Sequence, residues 1–494
     1  MVQETSPPVC NFRDTVSTTS PAPHIAILSS AGFGHLIVSV RLAVALASHG
    51  CLITLVTPLP TVSEAESRYI SDFHSCFPHI RLLEFHLLPL DAQADTDPFF
   101  SQFETIRRSA ALLGPLLASA TPPLSALLAD ISVLSSYIPV TKALGIPTYV
   151  TFTSCAAMLA LSCVFPRVRK EVGDGPVVSI DIPGLGTVPG SWIPPPLHNP
   201  NHIFARHFSE NGAAVLQADG VLVNTFEALE GDILSALNAG TVLPGLPPVI
   251  AIGPQEPLKL GASARPAGEP DGWATWLDAQ PPKSVLYVAF GNRTALSTVQ
   301  IRELGKGLEK SGCRFLWVVK SKIVDKDESV ELDELLGEGY LERVGDRGMV
   351  AKSWVDQEEV LAHPSVGGFL SHGGCSSSQE AILHGVRSLN WPGMGDQRMV
   401  AAQAEKRGAG VWVKEWGWSS RVHREEPEPV SSEEIAKRVK ELMEDDAVGE
   451  AMRRIHEEAV MGLRPGGSSY EGLRKFVALV EAKRRSSPPQ VSET

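Results

Sequence analysis

No CxxC pair occurs anywhere in the chain, although it holds seven cysteines. They stand at positions 10, 51, 76, 155, 163, 313 and 375. An odd, dispersed set argues against a disulfide framework and reads as reduced thiols, mostly small buried hydrophobes. No His/Cys cluster has metal-site spacing. Positive charge is not in excess either: 43 Lys and Arg face 56 Asp and Glu, a formal net charge of −13. That balance argues against a nucleic-acid or anionic-membrane partner. Long hydrophobic runs are also missing. The longest uncharged stretch, Ile146 to Pro166, contains Thr148, Thr151, Thr153 and Ser154, with proline at both edges. It reads as a buried strand followed by a helix rather than a membrane span. The first residues lack the apolar centre of a secretory signal and are rich in Ser, Thr and Pro, so residues 1–22 are expected to be a disordered tail. These absences point to a cytoplasmic globular protein.

What is present is strand–helix alternation over 494 residues, with 43% hydrophobic and 20% charged residues. A chain this long divides naturally into two domains. Residues 24–30, HIAILSS, read as an apolar strand. The tight loop Ala31-Gly32-Phe33-Gly34-His35 leads into an apolar helix, and CLITLVTP completes a right-handed βαβ unit. Gly-x-Gly in such a loop suggests a dinucleotide site only weakly. The third glycine is absent and no acid ends the second strand, so an NAD site is rejected.

His35 stands at the strand-to-helix turn, either as a helix-capping side chain or as a proton acceptor. Imidazole titrates near neutrality, which suits general base chemistry. SALLADIS reads as a strand ending in Asp130. A carboxylate there needs a partner or serves as a helix N-cap. If it bonded the far nitrogen of His35, it would fix the imidazole tautomer.

A long amphipathic helix is expected over 98–118. Residues 166–205 are rich in Pro and Gly and are expected to form an irregular, pocket-shaping loop. Residues 255–272 read as a linker. The second half opens with KSVLYVAFGN, then a helix capped by Ser297 and closed by Gly312, then CRFLWVVK. Asp325-Lys326-Asp327 is a formal D-x-D in an acidic loop, and its reading as a metal-diphosphate site is set aside. Helices are also expected at 446–462 and about 468–484. The boundaries that follow are a first domain over 23–254, a second over 273–462, a terminal helix over 463–484 and a tail from 485.

The most informative stretch runs from Trp354 to Gln397. GGFLSH is a short apolar strand leading through Gly373-Gly374 to Ser376, Ser377 and Ser378, then to a helix closed by Gly385. Serines capping such a helix would leave an N-terminus suited to phosphate. Glu380 sits in its first turn. Trp354 follows a second strand, and Asp396 and Gln397 follow a third. Three strand ends meeting on one edge of a parallel sheet make a ligand crevice.

This stretch resembles the signature box of plant family 1 UDP-sugar glycosyltransferases. It keeps Trp354, Gln357, His363, Val366, Gly367, Phe369, His372, Gly374, Ser377, Glu380, Gly385, Val386, Pro392, Asp396 and Gln397. It departs from the box at Asp356 and Arg387 (usually Pro), Gly373 (Cys), Cys375 (Trp) and Ser376 (Asn). The resemblance extends from about residue 24 to 480. It implies an α/β GT-B fold, with two doubly wound Rossmann-like domains facing a cleft and the last helix crossing back onto the first domain.

The resemblance also implies residue roles. His35 would be the catalytic base and Asp130 its orienting partner. Trp354 would stack on uracil, with Val355 and Gln357 beside it and Glu380 on the ribose. Asn292, His372, Gly374, Ser376 and Ser377 would serve the diphosphate. Asp396 and Gln397 would hold the hexose. Trp391 is expected in the core. UDP-glucose would be the donor, a plant phenolic the acceptor, with no metal and a monomeric chain. WVDQ, IPPPL, HLLPL…DPFF and SAGFGHL further resemble plant flavonoid C-glucosyltransferases. A flavonoid O-glucosyltransferase, and a catalytically impaired UDP-sugar or phenolic binder, remain the alternatives.

Overall fold

A computed structural model describes residues 21–89, 98–260, 272–291, 295–320, 330–352, 355–417 and 428–486. Much of the expected linker, the D-x-D motif and both tails lie outside these residues.

Fifteen strands among them form two parallel sheets and one hairpin. The first sheet comprises β1 (His24–Leu28), β2 (Leu52–Leu59), β3 (Arg81–His86), β4 (Ala126–Asp130), β5 (Thr148–Phe152), β8 (Gly220–Val223) and β9 (Val249–Ala251). Between β5 and β8, the strands β6 (Ser179–Ile182) and β7 (Gly186–Pro189) pair antiparallel as the hairpin. The second sheet comprises β10 (Val285–Ala289), β11 (Arg314–Val318), β12 (Gly348–Ala351), β13 (Val366–Ser371), β14 (Arg387–Asn390) and β15 (Gly410–Trp412). The strand orders are 3-2-1-4-5-8-9 and 12-11-10-13-14-15. In each sheet the order reverses beside the first strand, between β1 and β4 and between β10 and β13. Those two switch points are where a doubly wound sheet opens a crevice.

β1, β4, β5, β10 and β13 are buried throughout, as strands covered on both faces must be. The helix Phe33–Ser48 covers one face of the first sheet with Leu36, Val40, Leu42, Ala43 and Leu46. The helix Ser468–Ser486 joins the same layer through Leu473, Phe476 and Val480. Phe476 meets Tyr149 edge to face at 5.0 Å. Burying a side chain of that size stabilises by about 1.5–3 kcal/mol.

Several local expectations are corrected. The helix over 98–118 is two helices, Pro98–Arg108 and Ala110–Ala118. They part at Ser109, whose hydroxyl donates to the Thr105 carbonyl at 2.7 Å and accepts from the Leu88 amide at 2.9 Å. Residues 166–205 are not one irregular loop. The helix Ala156–Val172 runs through Pro166, because Cys163, Val164, Phe165 and Val168 all pack inward and outweigh the lost backbone bond. The β6–β7 hairpin follows, then short 3₁₀ turns at Gly190–Trp192 and Pro195–His198. Trp391 is fully buried against Phe290 and Trp416.

Candidate active site

The first switch point carries His35 and Asp130. The tight loop after β1 turns at Gly32, whose φ of 93° suits glycine, and His35 falls in the first turn of the following helix. Asp130 is the last residue of β4, with a fully buried side chain. Imidazole Nδ1 lies 2.7 Å from Asp130 Oδ2. The other carboxylate oxygen, Oδ1, accepts from the Ser132 amide at 2.9 Å and from the Ser132 hydroxyl. Asp130 therefore caps the 3₁₀ turn Ile131–Val133 and holds His35 at once. An ionised carboxylate against Nδ1 fixes the proton there and leaves the Nε2 lone pair as the acceptor. Thr153 Oγ1 stands 3.2 Å from the same Nδ1.

Aromatic rings gather on the His35 side. Phe99 lies 6.1 Å from the imidazole, Phe100 follows at 5.5 Å from Phe99, and Phe204 at 5.9 Å from Phe100. Such a wall suits a flat aromatic ligand.

The second switch point carries the glycine turns at Gly291 and Gly373-Gly374 with His372 between them. A Cβ at Gly374 would come within 2.5 Å of His372 Nε2 and one at Gly291 within 3.0 Å, so only glycine lets the ring in. Burial lowers the His372 pKa to about 4, leaving it neutral. The expected serine cap is corrected: Gly374 is the N-cap of the helix Cys375–Leu383, and Ser376, Ser377 and Ser378 lie inside its first turn. Gly374 is extended, with φ −65° and ψ 145°, and starts the helix without a side-chain cap. The Cys375, Ser376 and Ser377 amides then have no intrahelical partner and form the positive end of the helix dipole.

Gln357 begins the helix Gln357–Ala362. Its Nε2 donates to Ser377 Oγ at 3.0 Å and to Glu380 Oε2 at 2.6 Å. Val355 is buried in a cluster with Val360 and Leu361 of that helix. Burial pushes the Glu380 carboxyl up to about 7, opposed by the Arg41 guanidinium. Asp396 precedes the helix Gln397–Lys406, and Ser154 of the first domain donates to its Oδ2. Burial raises the Asp396 pKa, while the Ser154 hydroxyl and the nearby His35 act the other way. Gln397 Oε1 accepts from the Gly393 and Met394 amides, both at 2.8 Å, which orients the carboxamide. Asn292 and Trp354 lie outside the described residues.

The departures from the box have local causes. Asp356 N-caps the helix Gln357–Ala362 by accepting from the Glu359 amide at 3.1 Å. Gly373 has φ 73°, where a side chain would be strained. Arg387 points its guanidinium at the Gly367 and Asp445 carbonyls. Two contributors had not been singled out as site residues: Ser154, and Arg41 on the His35 helix. Arg41 is the single formal charge between Phe33 and Ser48, and a lone charge in an apolar helix must find a partner.

Two doubly wound domains, with a His–Asp pair at one switch point and a helix N-terminus among polar side chains at the other, define a GT-B nucleotide-sugar transferase. The UDP-glucoronosyl and UDP-glucosyl transferase family matches residues 262–457. The UDP-glycosyltransferase CGT of Oryza sativa subsp. indica is 47% identical over 464 residues, covering 93% of this chain and 96% of that protein. UDP-glycosyltransferase 708G2 of Citrus unshiu is 45% identical, covering 92% and 96%. Among solved structures, LpCGTa in complex with UDP superposes with a TM-score of 0.81 at 46% identity, covering 93% of this chain and 99% of that one. UGT71G1 of Medicago truncatula complexed with UDP-glucose gives 0.77 at 27% identity, covering 93% and 98%. The chain belongs to the plant family 1 UDP-glycosyltransferases. It is a glycosyltransferase of a metal-independent family that uses UDP-glucose as donor. Among the described residues no helix is long and apolar enough to cross a membrane.

Proposed function

We propose that the protein transfers glucose from UDP-glucose, with inversion, to a ring carbon of a plant phenolic, a flavonoid or dihydrochalcone of the phloretin or 2-hydroxyflavanone type. The observation that carries the reaction is the His35 Nδ1–Asp130 Oδ2 contact of 2.7 Å, which leaves Nε2 as a base. His35 takes the phenolic proton. The ring carbon ortho to the phenolate attacks the anomeric carbon, and the bond to UDP breaks with its electron pair leaving on the diphosphate. Loss of the ring proton restores aromaticity. Three ring oxygens make that carbon nucleophilic, and the Phe99–Phe100–Phe204 wall would hold the ring.

On the donor side, Trp354 would stack on uracil, with Val355 and Gln357 alongside and Glu380 on the ribose hydroxyls. Asn292, His372, Gly374, Ser376 and Ser377 would hold the diphosphate, with the amides at the helix start stabilising the leaving group. Asp396 and Gln397 would hold the hexose. Carbon linkage is supported by the name CGT borne by relatives of both kinds, which we read as C-glucosyltransferase. Oxygen linkage is the second reading, favoured by 33% identity to isoflavone 7-O-glucosyltransferase 1 of Glycine max.

The test is incubation with UDP-glucose and phloretin, followed by tandem mass spectrometry and acid hydrolysis. An acid-stable adduct with cross-ring fragments is expected. An acid-labile adduct losing a whole hexose would assign oxygen linkage, and no adduct across a panel of phenols would point to a binding protein without turnover.

A further inference from the structure

Arg41 leaves the first domain and enters the second. Its side chain is 11% exposed, and its Nη2 lies 3.0 Å from Glu358 Oε1 and 3.1 Å from Glu380 Oε1. Glu380 is 6% exposed. Glu358 gives its other oxygen to His384 Nε2 at 2.8 Å. Two carboxylates thus share one guanidinium nitrogen in a buried place. Arg41 also sits on the helix whose first turn carries His35.

We infer that Arg41 is a positioning residue of the donor site, fixing the Glu380 carboxylate to accept ribose hydroxyls and tying donor binding to the helix that bears the catalytic base. This rests on Glu380 being the ribose acceptor proposed above. Glu380 Oε1 accepts from Arg41 and Oε2 from Gln357, so each oxygen keeps one lone pair for a hydroxyl of a vicinal diol.

The groups around Glu380 set the sign of the pH dependence. Tyr69 of the helix Glu64–Cys76 is pushed up to about 12 by burial, and Tyr287 of β10 is raised as well, so both stay neutral. Glu358 opposes ionisation of Glu380, while Arg41 and Gln357 favour it. His384 faces Glu358 from the end of the Cys375–Leu383 helix, and Asp356 lies at the start of the Gln357 helix. The carboxylate form, which accepts two hydroxyls, is populated above a midpoint near 7 and lost as pH falls. Removing Arg41 leaves desolvation and Glu358 opposed by Gln357 alone and moves the midpoint up. Removing the Glu358 charge moves it down.

The experiment is calorimetric titration of the whole protein with UDP-glucose and with its 2′-deoxyribose analogue, across a pH series. Hydrogen bonds to a charged acceptor imply that the wild type prefers the ribose donor by about tenfold or more at alkaline pH, fading in acid. Arg41→Met should lose that preference near neutral pH and regain part of it at high pH, with donor KM rising more than kcat falls. Arg41→Lys should recover much of it. Glu358→Gln should shift the midpoint to lower pH, and Glu380→Gln should abolish the preference at every pH. Retained preference in Glu380→Gln would remove the ribose assignment itself. Loss there, with an unchanged preference and midpoint in Arg41→Met, would overturn the role of Arg41. Should Arg41→Met fail to fold, an unmoved midpoint in Glu358→Gln overturns it instead.

Discussion

Asp130 divides its two oxygens between two tasks: Oδ2 meets His35 Nδ1 at 2.7 Å, and Oδ1 caps the turn at Ser132. The pair spans 95 residues and is assembled by the pairing of β1 with β4. Asp130→Asn that keeps the cap through its oxygen turns a donor amide nitrogen toward Nδ1, which favours the other tautomer, with the proton on Nε2. The variant should retain UDP binding and lose about a hundredfold or more in kcat. His35→Ala should abolish turnover. Steady-state kinetics with calorimetric UDP binding separates these effects, and near-normal kcat in either variant would remove the pair from the chemistry.

Ser154 and Asp396 make a second contact between the domains, over a carboxyl whose pKa burial raises. Ser154→Ala removes one group that favours the ionised form. Asp396 should then hold its proton to higher pH, and a protonated carboxyl is a poorer acceptor for a hexose hydroxyl. Losing one such bond predicts an increase of about three- to tenfold in donor KM, larger at acid pH, with a smaller change in kcat. A KM that rises equally at all pH values would mean that Ser154 acts on packing alone.

His207 supplies a pH dependence of stability from the layer behind the aromatic wall, where it packs on Phe103 at 5.1 Å. Its side chain is 5% exposed, and burial, with Arg107 nearby, lowers its pKa to about 4. In the unfolded chain the ring titrates near 6.5, so the unfolded state binds more protons between those values. The stabilisation is therefore fully present above about 6.5 and is lost as pH falls through about 4, amounting to roughly 3 kcal/mol in all. Melting temperature should fall between neutral pH and about pH 5. His207→Leu should flatten part of that slope, while an unchanged slope would place the titration elsewhere.

The architecture was legible because its determinants are local: wholly buried apolar strands, Gly-terminated helices and a loop after each strand. The Trp354–Gln397 stretch was legible because one βα pair carries most of its polar groups. Pro166 misled because its cost is local, whereas the packing of Phe165 and Val168 that outweighs it is not. The serines after Gly374 read as caps because serine is the better capping type, but Gly374 takes the extended conformation two residues before the first of them. Arg41 was visible only as an isolated charge. Its partners lie 317 and 339 residues further along the chain, and no periodicity reports a contact across two domains.

Cys375 decides whether the altered box is a worn donor site or an adapted one. Its side chain is 8% exposed and packs with Met399, Val400 and the first domain's core. Its sulfur lies 3.8 Å from the Asn224 carbonyl, which also accepts from Gln379 Nε2. The tryptophan usual in the family has no room in this packing, and overfilling a closed contact costs about 1–3 kcal/mol. Cys375→Trp should therefore lower both melting temperature and kcat by forcing the domains apart. Ser376 is half-buried in the first turn of the helix, so Ser376→Asn should leave melting unchanged and act on donor KM alone. Thermal shift and kinetics on the two variants settle the matter. A Cys375→Trp protein that melts normally and turns over faster would identify the native site as impaired, whereas the expected losses identify a donor site refitted around cysteine.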